Sequence, residues 1–337
     1  ISGGNENARY YTDVGFYRIG NQIDFGEAKN NKTERFNIRG NVDLKINDWI
    51  KASLGANAIY YNGRGVNNAN DQNYWESAAT TRPNRFSPLI PIDQISANNT
   101  AAQVLAQNSS NIVDGRFLLG GTQLDQTNSF AAIYAGGYNT YTSREFQFNT
   151  SVDADLERAI KGLTFNAMFG VDYSTSYNQS YNNQYAVYQA NWVNTNGRDE
   201  IGSLTRYGQD ATNGIQNISN SAYQQTLSFS SQLNYKTKFD KDQHFSAMLV
   251  AGGWQQTFSG EYHRLSSANL GLQLSYDYKS KYYFLFNQGI VHSARFAEGE
   301  RTGYSPTATV AWKLGREDFL ANSSIVDDLE LSVSAGI

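Results

Sequence analysis

From Phe146 to Ser174 the chain alternates strictly between apolar and polar positions. Phe146, Phe148, Thr150, Val152, Ala154 and Leu156 share one parity, and Gln147, Asn149, Ser151, Asp153 and Asp155 share the other. After a short break, Leu163, Phe165, Ala167, Phe169, Val171 and Tyr173 alternate with Thr164, Asn166, Met168, Gly170 and Asp172. Successive side chains of a strand point to opposite faces, so the pattern predicts a hairpin with one apolar and one polar face. The same unit recurs in "RFNIRGNVDLKI" turning at "NDW", in "TLSFSSQLNYKTKF" turning at "DKDQ", in "LGLQLSYDY" turning at "KSK", and less regularly from "SPTATVAWKL" to "LELSVSAGI". With a lone first strand near Ala8–Arg18, this predicts eleven strands. The only helical candidate is Asn99 to Gln107, "NTAAQVLAQ", inside a loop.

Two physical features decide which face looks outward. A strand of about eleven residues at ~3.4 Å each, tilted by about 45°, spans roughly 25 Å, the height of the apolar band of a membrane barrel. Strands of soluble sandwiches are nearer five or six residues. The connections are also sorted by length. Turns at 47–49, 157–162, 239–243 and 279–281 are short, while 19–34, 62–145, 174–225, 257–267 and 292–305 are long. Short turns at one rim and long loops at the other are the outer-membrane arrangement, so the apolar face is expected to meet lipid. Aromatic residues at strand ends (Trp49, Tyr60, Tyr61, Tyr173, Tyr177, Tyr276, Tyr278, Tyr282, Tyr283, Trp312) suit the headgroup level of such a band.

Composition agrees. Mean hydropathy is −0.55 although 46 of the 337 residues are Phe, Trp or Tyr. That combination arises when lipid-facing and lumen-facing positions cancel, and no apolar run approaches the ~18 residues of a membrane-spanning helix. The absence of cysteine removes disulfides and thiolate metal sites. A net charge of −4 without a basic tract gives no reason to expect nucleic acid.

The segments "SGGNENARYYTDVGFYRIG", "RFNIRGNVDLKINDWIKASLGAN", "IKGLTFNAMFGVDY" and "YDYKSKYYFLF…SARF…GYSPTATVAWKLGREDFL…LELSVSAGI" resemble the barrel of SusC/RagA-type TonB-dependent transporters, nutrient importers of Bacteroidetes outer membranes. The chain departs from that pattern at "GIVHSARF", where Gly289, Val291 and His292 replace Arg, Asp and Gly, and at Ser305-Pro306 in place of Phe-Pro. The resemblance implies an all-β fold, a transmembrane antiparallel β-barrel of 22 strands, of which residues 1–337 supply about eleven, the first half of one barrel domain. It further implies a plug and TonB acting through it, both outside this sequence, a SusD-like lipoprotein at the extracellular mouth, and import of a glycan or peptide nutrient at the outer membrane. An odd strand count leads us to expect an open sheet with edges near Ala8–Arg18 and Leu329–Ile337.

No catalytic pattern emerges. His244, His263 and His292 lack metal-ligand spacing, and Asp153 with Asp155 sits on a polar face already charged by Arg35, Arg39, Asp43 and Lys45. No nucleophile elbow, phosphate loop or dinucleotide fingerprint occurs. The reading is a non-enzyme without cofactor or metal. Candidate ligand- or partner-contacting residues lie in the long loops: Tyr74, Trp75, Arg82 and Arg85 in one, Tyr181, Tyr185, Tyr188 and Trp192 in the other. Aromatic faces beside amides suit a sugar or peptide, and the plainer alternative is that these residues pack the loops together or against a lid protein. Two other function classes stay open at this stage: a non-transporting structural barrel within an outer-membrane complex, and a secreted β-sandwich adhesin.

Overall fold

The computed structural model describes residues 1–21, 24–66, 87–126, 129–320, 325–326 and 328–337, with the side chains of 212–215 excepted. The strands in chain order are β1 (Ser2–Gly4), β2 (Ala8–Gly20), β3 (Lys32–Lys45), β4 (Ile50–Val66), β5 (Ile90–Pro91), β6 (Ile112–Val113), β7 (Phe117–Leu118), β8 (Gly137–Asp155) and β9 (Leu163–Gln184). They continue with β10 (Val187–Thr195), β11 (Arg198–Tyr207), β12 (Ala211–Lys238), β13 (Gln243–Phe258), β14 (Leu265–Tyr278), β15 (Tyr282–Ser293), β16 (Thr302–Lys313) and β17 (Glu330–Gly336). Twelve of them form one antiparallel sheet in the order β1-β2-β3-β4-β8-β9-β12-β13-β14-β15-β16-β17. The sheet is open: β1 and β17 are its edges and do not pair with each other.

Alternation and pairing agree along every hairpin. Phe165 pairs with Ala154 and Leu233, and Phe169 with Thr150 and Phe229, so the apolar parity forms one continuous face. Asp153, Asn166 and Gln232 carry the polar face across the same three strands, and Asn166 Nδ2 donates to Asp153 Oδ1 at 2.6 Å.

The strand count is twelve rather than eleven, because the first predicted strand has a partner. Asn5 Oδ1 accepts from the backbone N–H of both Asn7 and Ala8, each at 2.8 Å, and turns the chain so that Ser2–Gly4 folds back on Arg9–Tyr11. Three residues are too few to display alternation. Several strands also outrun their apolar band. On β9 the band runs from Leu163 to Tyr173, yet pairing continues to Gln184 through "STSYNQSYNNQ". There Ser, Thr, Asn and Gln occupy both faces, as expected of a wall that meets water on both sides.

Register alone fixes the tilt. One row of paired residues runs Lys45, Lys51, Asp153, Asn166, Gln232, Val250, Gly271, Gly289, Ser305. Lys45 is the last residue of β3 at the turn rim, whereas β16 continues eight residues past Ser305 to its own turn rim at Lys313. Eight strand steps with eight residues of slip give one residue per strand. A rise of ~3.4 Å against a spacing of ~4.8 Å corresponds to a tilt of about 35°, the value of closed membrane barrels.

At the turn rim the apolar face ends in stacked rings. Tyr282 lies between Tyr278 and Trp312, with ring centroids 6.3 and 6.2 Å away. Glu317, in the connection after β16, accepts from Tyr282 Oη at 2.7 Å, Trp312 Nε1 at 3.0 Å and Lys281 Nζ at 3.0 Å. These three donors, with the Lys281 charge, pull the Glu317 carboxyl from its ordinary 4.5 to about 2. A depressed carboxyl stabilises the fold fully above its ordinary pKa and loses that contribution as pH falls through the folded value. The indole environment of Trp312 is therefore expected to change as the folded-state carboxyl protonates at pH ~2, and Glu317→Gln should abolish that transition. Trp312 fluorescence that is flat as pH falls through this value, or unaltered by Glu317→Gln, would contradict the clamp. Tyr283 does not join the rings, because its parity places it on the polar face, and Tyr61 lies on the polar face at the opposite rim.

Candidate functional site: a polar wall beneath a packed loop layer

The two long connections fold on each other. Residues 87–135 provide β5, β6, β7 and two short helices, α1 (Thr100–Gln107) and α2 (Ser129–Ala135). Asn99 caps α1 by accepting from the Ala102 N–H at 2.9 Å, so the predicted helix forms. α2 has only seven residues, too few for a periodic signal. The second connection contributes the β10-β11 hairpin, whose turn residues Asn196 and Gly197 both have positive φ, 56° and 81°. Asn-Gly is a strong short-range hairpin signal, and it was legible at this position.

One apolar cluster joins Ile90, Ile95, Ala102, Ala106 and Leu118 of the first connection to Ala186, Tyr188, Ile201 and Leu204 of the second. A second cluster packs Val113, Leu119, Ala131 and Ala135 on Val187. Gly120 and Gly121 permit the approach: a Cβ on Gly120 would strike the Pro88 carbonyl, and one on Gly121 the Val187 side chain. Asp210 ties the two connections with polar bonds, accepting from the N–H of Ser110 and Ala186 at 2.7 Å each and from Asn111 Nδ2 at 2.9 Å.

The layer is keyed to the barrel rim. Arg64, near the end of β4, places its guanidinium 3.6 Å from the centre of the Tyr138 ring and donates to Glu27 Oε2 at 3.1 Å. Phe25 stacks on Phe130 of α2 at 5.0 Å.

These contacts locate the candidate residues. Tyr188 is 1% exposed in the core of the layer, and Tyr185 packs against the second cluster. Tyr181 stacks on Tyr138 at 4.5 Å. Trp192, at a register shift of β10, is 46% exposed and points away from both cores. The structure thus brings Tyr185 and Tyr188 into loop packing, places Tyr181 on the β9 wall against Tyr138 of β8, and leaves Trp192 at the surface. Tyr74, Trp75, Arg82 and Arg85 lie outside the described residues.

Two clefts among the described residues open on the polar face, as on the concave side of a barrel wall. A cleft of about 750 Å³ is lined by Tyr17, Arg35, Asn37, Ile59, Tyr61, Tyr141, Ser143 and Glu145, from β2, β3, β4 and β8. A second, of about 470 Å³, shares Tyr141, Ser143 and Glu145 and extends the groove toward Ser174, Ser176 and Gln224. Tyr61 and Tyr141 meet edge to face at 5.9 Å. Aromatic faces, hydroxyls, an amide, a guanidinium and a carboxylate line one groove just below the loop layer, which suits a polar organic solute. Sequence reasoning missed this groove. Its residues share a face only once β4 is paired with β8, across a connection of 70 residues. Among the described residues no group of three His, Cys, Asp or Glu is arranged to hold a metal.

No helix among the described residues is long and apolar enough to cross a membrane. No family model matches the chain. Its whole length is similar to TonB-dependent receptor P3 of Formosa agariphila, with 21% identity over 340 residues, and to TonB-dependent receptor P26 of the same organism, with 22% identity over 348. In each case it covers 100% of this chain and 32% of the relative, so the chain spans about a third of the length of the curated relatives it matches. Among solved structures it is similar to a chain of the RagAB peptide importer in its closed-closed state, with 16% identity and a TM-score of 0.53 over 99% of this chain and 35% of that one. The open-open state of the same importer gives a TM-score of 0.52. At that identity the structures speak for the fold alone, part of a β-barrel wall. From end to end, the chain is similar to TonB-dependent receptors, and its open twelve-stranded sheet has the fold of part of a RagA-like β-barrel wall.

Proposed function

We propose that this chain is the ligand-facing first half of a barrel that imports a nutrient of the glycan or peptide class across the outer membrane. A plug energised by TonB would drive release, and a SusD-like surface lipoprotein would cover the loop layer. The observation that carries the reading is the polar groove at Tyr17, Arg35, Tyr61, Tyr141 and Glu145, on the lumen-side parity of strands whose rim, at Arg64 and Tyr138, meets the loop layer. The relatives are named as TonB-dependent receptors and the structural neighbour as a peptide importer, which supports import over catalysis. Trp192 and its β10-β11 hairpin offer an exposed aromatic surface for a lipoprotein partner, while Tyr74, Trp75, Arg82 and Arg85 remain ligand or partner candidates in the same loops. A secreted sandwich would pack two large sheets face to face, whereas here twelve strands form one open sheet and the other two sheets, of two and three strands, belong to the loop layer.

Deleting the gene for the full-length protein tests the reading. Uptake of fluorescent oligosaccharides or peptides by energised cells is expected to fall for one of these classes, and collapse of the proton-motive force should abolish the same uptake in the parent strain. Unchanged uptake of both classes would favour a non-transporting structural barrel instead.

A further inference from the structure

The two clefts of the polar face join at Tyr141, Ser143 and Glu145, and strand pairing fixes the direction in which they run. Tyr17 of β2 pairs with Arg35 of β3, Arg35 with Tyr61 of β4, and Tyr61 with Ser143 of β8. Ser143 pairs in turn with Ser176 of β9, and Ser176 with Ala222 of β12. Two residues along β8, Glu145 pairs with Ser174, Ser174 with Gln224, and Gln224 with Phe258 of β13. The lining thus follows the rungs of the sheet from β2 to β13 instead of the length of any strand. Six strand spacings of ~4.8 Å make it about 29 Å long, measured along the wall.

Rings mark this track at both ends and in the middle. Tyr17 stands at one end, Tyr61 and Tyr141 meet edge to face near the middle, and Phe258 stands at the other end. Tyr17 and Tyr141 are 53% and 43% exposed. Serine hydroxyls and the Gln224 amide fill the interval, and of the lining side chains Arg35, Glu145 and Glu261 carry a full charge. Where β3, β4, β8 and β9 cross the track, each is paired along both edges, so their N–H and C=O groups are taken up by the ladder. An extended peptide laid there finds no strand edge to join, which is how sheets commonly hold peptides by the main chain. A sugar chain needs no such edge. Its ring faces lie flat on aromatic rings, and its hydroxyls exchange hydrogen bonds with hydroxyls and amides that both donate and accept.

We propose that the joined clefts are one track that holds a linear oligosaccharide crosswise to the strands, with Tyr61 and Tyr141 at its middle and Tyr17 and Phe258 at its two ends. This deepens the import reading by choosing the glycan class, and it rests on that reading for the ligand's route to the wall. The track selects by length, because a short sugar fills only its middle. A ligand aligned with the strands could touch Tyr17 or Phe258, six strands apart, and not both.

Titration calorimetry on the purified full-length protein in detergent tests the track without requiring energised import. The probes are maltooligosaccharides and cellooligosaccharides of two to six units, with a Gly-Ser hexapeptide beside them. In one sugar series affinity is expected to rise by about tenfold from disaccharide to hexasaccharide, and the hexapeptide should not bind. Tyr17→Ala and Phe258→Ala should each weaken the hexasaccharide by about threefold and leave the disaccharide unchanged, whereas Tyr141→Ala should weaken every length. The wild-type length series stands even if a variant fails to fold. Affinity independent of length, a hexasaccharide indifferent to either end ring, binding of the hexapeptide in place of both sugars, or no binding of any probe would overturn the track. Cellular uptake of either nutrient class without length-dependent binding would leave import standing and remove the track. Length-dependent binding without uptake would leave the track standing and remove import.

Discussion

Phe169→Arg in the full-length protein is expected to cost the barrel about 2–4 kcal/mol, whereas Met168→Arg leaves its stability nearly unchanged. The two side chains are adjacent in sequence and both are apolar, so hydrophobicity alone predicts equal damage. Facing predicts the opposite. Phe169 sits near the middle of the Leu163–Tyr173 band, paired with Thr150 and Phe229 on the convex face. Met168 pairs with Ser151 and Ser230 on the concave side. An arginine on the lipid face must be desolvated or drag water and headgroups toward it, while one in the lumen stays hydrated. Equilibrium unfolding in lipid vesicles measures both costs, and equal losses would refute the orientation.

Tyr188→Ala is expected to cost about 3–5 kcal/mol, the range for removing a large buried ring, and to spend it in the loop layer rather than the barrel. Tyr188 is 1% exposed, and its hydroxyl approaches the Leu105 carbonyl at 3.5 Å. Its loss opens a cavity between the first connection and the β10-β11 hairpin. The layer meets the wall mainly through Arg64, Glu27 and the Phe25–Phe130 stack, so its opening need not propagate to the ladder. Hydrogen exchange should show amides of 187–207 losing protection while those of β13 and β14 keep theirs. Uniform loss across both regions would mean that layer and wall unfold as one unit.

These contrasts trace what the order of residues reveals. The alternation through Phe146–Tyr173, the turns at 157–162 and 279–281 and the facing of each strand were all readable, because a period of two demands only local information. The extension of β9 to Gln184 was not, because Ser174–Gln184 is polar on both faces and carries no periodicity. The ring cluster was half readable: Tyr278, Tyr282 and Trp312 sit where strand ends place them, but Glu317 joins them only through the fold of a later connection. The loop layer hid for a different reason. Its core joins residues of short elements far apart in sequence, β5, α1, β7, β10 and β11, and Tyr188, which looks like a ligand-stacking ring in sequence, is needed to fill it. The groove at Arg35 and Glu145 depended on register between β4 and β8, which no local pattern encodes.

The one-residue slip per strand has a mechanical consequence. Inter-strand hydrogen bonds run perpendicular to antiparallel strands. With the strands inclined at about 35°, a pull along the barrel axis resolves mainly along each strand. It therefore loads the rungs of a ladder side by side instead of one after another. The ladder between β8 and β9 runs from Gly137–Asn182 to Asp155–Thr164 without a register shift, so its bonds would share an axial load from one rim to the other. A wall made this way resists being unzipped by a force acting through its lumen.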